Sequence, residues 1–360
     1  MDPRTEVVGV VDADYIVSKN WLKATVPYFV EDPEVALVQA PQEHRDWNDN
    51  VFQRMENDEY SGFFRIGMVQ RNEDNAIIQH GTMTLVDRKM MDKLGGWAEW
   101  CICEDTELGL RILNEKKKTV YLDHPFGHGL VPDTYEAYAK QRFRWAYGGM
   151  RIFRHHIGKI MGITGHLTWS QRYQFMKGWI PWMGESLHMV FTLTALAWSA
   201  LLLAKPLTTE FPEPIFIYPA LMLVVLRILG TMWTYRARVK IGRKRTLLAM
   251  MAGGSLTHKI AKAVLQGLFF FSVPFYRTPK MADSMPVFKA LASVWQEFVL
   301  AMSLYVGAWM ILKEFGTINY QAIVWAIGMI VQSFPYLAAI GASLVSSFSR
   351  DTSPEPVASS

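Results

Sequence analysis

The sequence predicts an α/β domain in the first half of the chain, followed by an α-helical region that crosses a membrane several times. Half of the 360 residues are hydrophobic and 19% are charged. That is too apolar for an ordinary soluble protein and too charged for one embedded wholly in a bilayer. Short apolar runs separated by turn residues fill the first half, whereas long apolar runs dominate from about Trp179 onward.

Composition also bounds the partners and the compartment. The formal net charge is +4 and the chain has no long basic run or basic repeat, so nucleic acid is not predicted as a partner. The two cysteines, Cys101 and Cys103, form a single Cys-x-Cys pair. Such a pair cannot complete a tetrahedral zinc site alone, and we expect both thiols to be reduced in the cytosol.

The first element is predicted to be a buried strand over residues 6–14, with Asp12 and Asp14 at its C-terminal end. Ligands of open α/β sheets bind at that end. Two carboxylates two residues apart can also share one hard cation, which would bridge to a diphosphate. The alternative is an ordinary turn, where aspartate is common. The local sequence leaves both interpretations open.

Two more strands and two helices are predicted next: a helix over 21–29, a strand over 35–41, a helix within 44–68 and a strand within 76–86. In the last of these, Gly81 would allow backbone to approach a ligand, or it marks a bulge. His80 by itself is typical of a hydrogen-bonded structural residue.

Acidic residues crowd the start of the next predicted helix, which begins near Glu104 and Asp105 and continues to Lys116. Carboxylates at a helix N-terminus are stabilised by the helix dipole, so capping alone could explain them. The functional alternative is a general base that takes a proton from an acceptor hydroxyl.

A further helix opens at residues 132–134 and carries Gln141, Arg144 and Trp145 on one face, because their spacing is three or four residues. A planar aromatic beside the guanidinium groups of Arg142 and Arg144 could stack on a sugar ring and grip a diphosphate. The alternative is a basic, aromatic face that rests on a membrane surface.

Four spans are predicted in the second half, over residues 179–204, 213–235, 298–312 and 322–345. Basic residues crowd the loop after the second span, so that loop and both termini are predicted to be cytoplasmic. Residues 246–271 could form a fifth span. We favour an amphipathic interfacial helix there, because Lys259 and Lys262 would be costly at the bilayer centre.

Taken in order, these motifs resemble those of the processive family 2 glycosyltransferases, which include bacterial synthases of cellulose, β-1,3-glucans, chitin and hyaluronan. The matching segments are Asp12-Ala13-Asp14, Gly81-Thr82, Gly95-Gly96-Trp97, Glu104-Asp105 and Gln141 to Trp145, followed by the membrane spans. The resemblance extends over roughly Val7 to Lys280.

The resemblance implies a role for each acidic motif. Asp12 and Asp14 match the Asp-x-Asp that binds Mg²⁺ or Mn²⁺ and, through it, the diphosphate of a nucleotide sugar. Asp105 matches the catalytic base, with Glu104 beside it. Cys103 stands where the family has threonine, which removes that residue's local hydrogen bond but not the carboxylate.

On the acceptor side, the resemblance places Trp145 under the acceptor sugar and Arg144 near the pyrophosphate, with Gln141 in the same Gln-x-x-Arg-Trp motif. The segment made of His80, Gly81 and Thr82 corresponds to the lining of the acceptor site. Phe275 to Lys280 resembles the family's gating loop, which implies that Thr278 and Lys280 lie near the phosphates. Arg277 replaces a valine in that loop.

The resemblance also implies a fold and a division of the chain. We expect a partial nucleotide-sugar transferase domain of the GT-A type, then a multi-pass membrane domain. The expected parts are a partial GT-A domain with an interfacial helix (1–176), a transmembrane hairpin (177–235), a basic cytoplasmic segment with an interfacial helix and the gating loop (236–285), a second hairpin (286–347) and a disordered tail (348–360).

The implied activity is sugar transfer from a nucleotide sugar to a growing β-linked polysaccharide, at the inner (plasma) membrane of a bacterium with the catalytic part in the cytoplasm. UDP-glucose is the first choice of donor and UDP-N-acetylglucosamine the second. In the family a nucleotide-binding half precedes the Asp-x-Asp strand, so this chain is expected to be the C-terminal part of a longer synthase, active only when completed by that half or by other subunits. The alternative is an inactive fragment or a non-catalytic membrane subunit. A transporter is disfavoured, because it leaves the soluble motifs unexplained.

Overall fold

The computed structural model describes residues 2–48, 50–270 and 287–348. Seven strands lie in the first part of the chain: β1 (Val7–Val10), β2 (Ile16–Val17), β3 (Val35–Gln39), β4 (Glu43–Arg45), β5 (Thr84–Asp87), β6 (Lys118–Tyr121) and β7 (Gly127–Leu130). They form a four-stranded sheet in the order β1-β5-β3-β6 and a three-stranded sheet in the order β2-β7-β4.

The larger sheet is mixed. Strand β5 is antiparallel to both β1 and β3, while β3 and β6 are parallel. All five residues of β3 are buried. This explains its nearly continuous apolar sequence, because a strand covered on both faces has no polar side to alternate with.

The described helices of this part are α1 (Trp21–Thr25), α2 (Pro27–Glu31), α3 (Val51–Gly62), α4 (Val69–Glu73), α5 (Arg88–Lys93), α6 (Glu104–Asn114), α7 (Tyr135–His155) and α8 (Ile157–Ile160). Of these, α2, α4, α5 and α6 pack on the four-stranded sheet. A π-helical turn, Phe63–Met68, joins α3 to α4. The start of α7 is fixed by Thr134, whose side chain accepts a hydrogen bond from the backbone N–H of Ala137.

The second part is helical: α9 (Trp169–Ala204), α10 (Tyr218–Thr234), α11 (Arg243–Ser255), α12 (Thr257–Phe269), α13 (Val287–Ser293), α14 (Trp295–Phe315) and α15 (Tyr320–Phe348). Within the described residues, four helical segments are long and apolar enough to cross a membrane: Trp169–Ala204, Pro214–Val239, Trp295–Phe315 and Tyr320–Phe348. The predicted order of an α/β domain followed by a helical region with four candidate spans is therefore confirmed.

Several predicted boundaries are wrong. The strand predicted within 76–86 begins only at Thr84, and the helix predicted within 44–68 begins at Val51, after β4. Residues 246–271 do not form one helix, because the chain breaks at Leu256 between α11 and α12, which have 13 residues each. Neither is long enough for a span, which needs about 20 residues.

The helix of the first candidate span starts ten residues before the predicted apolar run does. Thr168 and Gln171 form a capping box, in which each side chain bonds to the other's backbone, and this sets the start of α9. The first turns of α9 therefore lie against the α/β part before the helix reaches its apolar stretch. This extension brings Lys177, Gly178 and Trp179 to the wall of the cavity described below.

The two parts share a hydrophobic core at their junction. It contains side chains from α3, α7, α9 and α12, including the buried Phe52, Tyr138 and Trp179. The hydroxyl of Tyr135 donates a 2.7 Å hydrogen bond to the carbonyl of Ser255, which anchors the start of α7 on the helical region. Helix α7 is therefore held between helices α3 and α6 of the α/β part and the helical region.

Candidate active site

A single cavity of about 1170 Å³ opens between the sheet, α6, α7 and the start of α9. All of the predicted site residues that the structure describes line it: Asp12, Asp14, His80, Gly81, Thr82, Glu104, Asp105, Gln141, Arg144 and Trp145. Side chains from four separate stretches of sequence thus meet in one place. Thr278 and Lys280, like the rest of the predicted gating loop and the tail after 348, lie outside the described residues.

Asp12 and Asp14 lie on the loop that follows β1, and hydrogen bonds hold this loop against its neighbours. The N–H of Asp12 donates to Thr82 Oγ1 at 2.9 Å. The N–H of Leu130 donates to Asp14 Oδ2 at 2.9 Å, and Arg45 donates to the Asp14 carbonyl at 3.1 Å. The loop is thus fixed with both aspartates at the cavity wall.

The two aspartates fit a divalent cation as part of its coordination shell. Carboxylate oxygen is the ligand that Mg²⁺ and Mn²⁺ prefer. Within the described ranges, no group of three or more His, Cys, Asp and Glu side chains is arranged to hold a metal ion. A cation at Asp12 and Asp14 would therefore take its remaining ligands from phosphate oxygens and water, as Mg²⁺ commonly does.

Asp105 is positioned by the N-terminus of α6. Its Oδ1 accepts a 2.7 Å hydrogen bond from the N–H of Thr106. Burial raises the pKa of Asp105 to about 7, and the charge of Glu104 adds to this, while backbone N–H groups of Thr106 and Gly81 oppose it. A carboxyl group that titrates near neutrality suits a general base, which must be ionised before transfer and accept a proton during it.

Cys103, which replaces the family's threonine, connects α6 to α7. It precedes α6 and makes no side-chain cap to it. Its Sγ instead contacts the carbonyl oxygen of Arg144 at 3.7 Å, and a β-carbon at Gly148 would lie only 2.4 Å from that sulfur. Burial raises the pKa of the thiol well above its usual value, so Cys103 is neutral. The substitution thus exchanges a local bond for packing between α6 and α7.

The pair of guanidinium groups predicted to face a diphosphate does not exist as such. Arg142 forms an ion pair with Glu59, and its guanidinium lies over the rings of Tyr60, Tyr138 and Trp145 at 5.2, 5.1 and 4.7 Å. Arg142 is therefore a structural cation in the interior of the α7 sequence. Arg144, two residues on, lines the cavity, and Glu104 and Asp12 are among the charges that act on its pKa.

Trp145 is stacked on Tyr60, with ring centroids 5.7 Å apart and an interplanar angle of 25°. The Arg142 guanidinium is about equally close to both rings, which places Arg142 and Tyr60 toward the same side of Trp145. Trp145 is half-buried and lines the cavity. Its orientation is thus fixed from one side by its neighbours.

His80 lies among aromatic rings. Its ring centroid is 5.1 Å from that of Phe63 and 5.2 Å from that of Phe64, and its Nδ1 has no hydrogen-bond partner in the described residues. Burial lowers its pKa to about 4, with a smaller effect from Arg71. His80 is thus a neutral wall residue at physiological pH.

Sequence reasoning missed part of the site. Glu59 and Tyr60 lie on α3, where nothing in the local pattern separates them from other polar and aromatic residues of that helix. Arg71 lies in the polar run 70–75, which resembles a solvated surface, yet it is buried and lines the cavity. Two tryptophans of α9, Trp179 and Trp182, also line the cavity.

The fold and this set of residues define a glycosyltransferase. Residues 7–234 match the family described as "Glycosyl transferase family group 2", and the chain belongs to that family. The GT-A-type α/β arrangement that the motifs implied is thereby confirmed, as is the family resemblance itself.

Among its relatives are two bacterial cellulose synthases. The chain is 28% identical over 219 residues to "Cellulose synthase 2" of Novacetimonas hansenii. This match covers 59% of this chain and 13% of that protein. It is 28% identical over 198 residues to "Cellulose synthase 1" of Komagataeibacter xylinus, which covers 53% of this chain and 12% of that protein. The chain thus spans a small part of the length of each relative.

A more distant likeness is to the structure of a mannosyltransferase of Pyrobaculum calidifontis in complex with GDP-Man and Mn²⁺. The TM-score is 0.42 at 14% identity, over 73% of this chain and 62% of the other.

Proposed function

We propose that the chain carries the catalytic site of an inverting glycosyltransferase that elongates a β-linked polysaccharide. One observation supports this above the others. A carboxyl group with a pKa near 7, Asp105, lies in the same cavity as the aspartate pair Asp12 and Asp14 and the tryptophan Trp145. A base, a metal-binding pair and a stacking surface are the groups that sugar transfer from a nucleotide donor requires.

In the proposed reaction, Asp105 removes the proton from an acceptor hydroxyl as that oxygen attacks the anomeric carbon of the donor sugar. The bond between the anomeric carbon and the diphosphate oxygen breaks, and the nucleoside diphosphate leaves with the electron pair. Attack from the face opposite the leaving group inverts the α-linked donor to a β-linked product. Glu104 assists by keeping the pKa of Asp105 high enough for proton transfer.

On the donor side, Asp12 and Asp14 would hold Mg²⁺ or Mn²⁺, whose charge offsets the charge that develops on the departing diphosphate. Arg144 shares the electrostatic environment of Asp12 and is suited to a phosphate oxygen, because a guanidinium group donates in parallel. Thr278 and Lys280 are proposed to approach the same phosphates.

On the acceptor side, Trp145 offers a ring held in place by Tyr60, and the face turned away from Tyr60 is the proposed stacking surface for the terminal sugar. Gln141 and the segment from His80 to Thr82 line the same cavity and are proposed to contact sugar hydroxyls. His80 would do so as a neutral ring.

The candidate spans support a membrane location for the proposed site. The cavity reaches Trp179 and Trp182 on α9, at the start of a candidate span, so a growing chain would enter the helical region there. We place the protein in the inner membrane of a bacterium, with the site in the cytoplasm where nucleotide sugars are made. UDP-glucose is the proposed donor, and UDP-N-acetylglucosamine the alternative.

Incorporation of radiolabelled sugar tests the proposal. The chain, purified in lipid nanodiscs, is incubated with Mg²⁺ or Mn²⁺, β-glucan oligosaccharides and a panel of UDP-sugars, and polymer is counted after removal of free nucleotide. We expect label from UDP-glucose above all others. If only UDP-N-acetylglucosamine gives labelled polymer, that nucleotide sugar is the donor and UDP-glucose is not. If no donor gives labelled polymer, with or without other synthase subunits, a non-catalytic membrane role is favoured.

A further inference from the structure

One buried cation in the cavity, Arg71, has no counter-ion among the residues that the structure describes. Arg71 is only 5% exposed, yet it lines the cavity. Within the described part of the chain it makes no ion pair, and its Nε is buried without a hydrogen-bond partner. The recorded contact of its guanidinium is with the ring of Phe63, whose centroid lies 5.6 Å away.

Two glycines make room for this guanidinium. A β-carbon at Gly67 would come within 2.9 Å of Arg71 Nη1, and one at Gly178 would come within 3.2 Å of Nη2. The group is therefore wedged between the π-helical turn after α3 and the first turns of α9. This confinement keeps it in the cavity wall, away from bulk solvent.

A second positive charge lies close by. Lys177 precedes Gly178 on α9, lines the same cavity, and donates a hydrogen bond to the side-chain amide of Gln70, the neighbour of Arg71. Two cations on adjoining walls repel each other unless an anion lies between them. Gln70 is neutral, and although the charge of Asp74 acts on Lys177, no carboxylate in the described residues pairs with Arg71.

Arg71 lies in the part of the cavity wall that the start of α9 forms. Burial alone lowers the pKa of Arg71 to about 10, and no carboxylate acts on it. Arg144, by contrast, feels both Glu104 and Asp12. Arg71 lies against Gly178, next to Trp179 on α9, and its charge also acts on His80.

A buried charge without a partner is strongly unfavourable, so native structures keep such a group where a ligand completes it. We propose that Arg71 and Lys177 form an acceptor subsite for a negatively charged sugar, a uronic acid residue that stands in the growing glycan beside the neutral sugar that the site adds. The tryptophans Trp179 and Trp182 on the same wall suit stacking of the sugar ring. This rests on the proposed function, since it specifies the acceptor of the same site.

Equilibrium binding tests the subsite without requiring transfer. The chain in nanodiscs is titrated calorimetrically, without donor, with tetraglucuronate, with neutral cellotetraose and with farnesyl phosphate. The variants are Arg71→Gln and Arg71→Lys, and the matched control is Arg88→Gln, which removes an arginine that pairs with Asp92 outside the cavity. Circular dichroism confirms that each variant is folded.

We expect tetraglucuronate to bind wild type and Arg88→Gln at least about tenfold more tightly than cellotetraose, since charge-assisted hydrogen bonds are about twice as strong as neutral ones. Added salt should weaken the binding of tetraglucuronate but not that of cellotetraose. Arg71→Gln should abolish the difference, and Arg71→Lys should keep part of it. Equal binding of the two glycans to wild type, or a preference that survives in Arg71→Gln, would overturn the proposal.

Two further outcomes are decisive. If farnesyl phosphate binds more tightly than tetraglucuronate and depends on Arg71, the anion is a lipid phosphate and the acidic-glycan assignment is wrong. If Arg71→Gln does not fold, the salt dependence and ligand preference of wild type still decide the question. Failure of the proposed function appears separately, as absence of label in the incorporation assay.

Discussion

The carboxylate of Asp105 lies directly against Gly81: a β-carbon at Gly81 would come within 3.2 Å of Asp105 Oδ2. The glycine thus permits backbone to approach the proposed base, and its N–H helps to hold the carboxylate. We expect Gly81→Ala to displace Asp105 by a few tenths of an ångström and to lower kcat for transfer about tenfold. Steady-state kinetics would check this. The control is Gly184→Ala, because a β-carbon at Gly184 meets no neighbouring group within 4 Å. Gly96→Ala is unsuitable as a control because Gly96 has a positive φ.

The pH dependence of transfer should report on Asp105. Its pKa is raised to about 7, so the base is protonated below that value and activity should rise as pH increases through about 7. Glu104→Gln removes a negative charge that disfavours ionisation, so the rising limb should move to lower pH. Glu115→Gln, at the far end of α6, should leave the limb in place. If the rising limb does not move in Glu104→Gln, the limb does not report the ionisation of Asp105.

The ion pair between Arg142 and Glu59 should matter for stability. Both side chains are largely buried, so Glu59→Gln leaves an uncompensated charge among three aromatic rings. Loss of one partner of such a pair destabilises a protein by about 3 kcal/mol. Thermal unfolding followed by fluorescence should show a clear drop in Tm. Glu136→Gln, which breaks the exposed pair with Lys140, should leave Tm nearly unchanged.

Trp145 should act mainly on the acceptor. Trp145→Ala removes the proposed stacking surface, and we expect KM for a β-glucan oligosaccharide to rise about tenfold, a loss of about 1.4 kcal/mol. Trp145→Phe should recover most of it, because a planar ring remains on Tyr60. Affinity for the nucleotide donor, measured by calorimetry, should be the same in both variants. A loss of donor affinity in Trp145→Ala would instead assign the ring to the donor side.

The sequence predicted the parts of this site that depend on ordered motifs. The approach of Asp12 to Thr82 joins residues 70 positions apart, and the order of motifs was enough to place both at one site. The spacing within α7 likewise put Gln141 and Trp145 on one face. The prediction for α7 needs only the spacing of residues within one helix.

Other features depend on which elements meet, and local pattern does not encode that. Arg142 looked equivalent to Arg144 until Glu59, on a distant helix, was found beside it. Arg71 looked solvated because its neighbours in sequence are polar, although α9 covers it. The start of α9 was misplaced because hydropathy marks where a helix becomes apolar, whereas capping by Thr168 marks where it begins.

The central claim is that Asp105 is the base, and one variant tests it most directly. Asp105→Asn preserves shape and removes the proton acceptor. We predict that incorporation of sugar falls by at least about a hundredfold, while UDP binding by calorimetry in the presence of Mg²⁺ or Mn²⁺ is unchanged. Transfer at a wild-type rate by a folded Asp105→Asn variant would contradict the account.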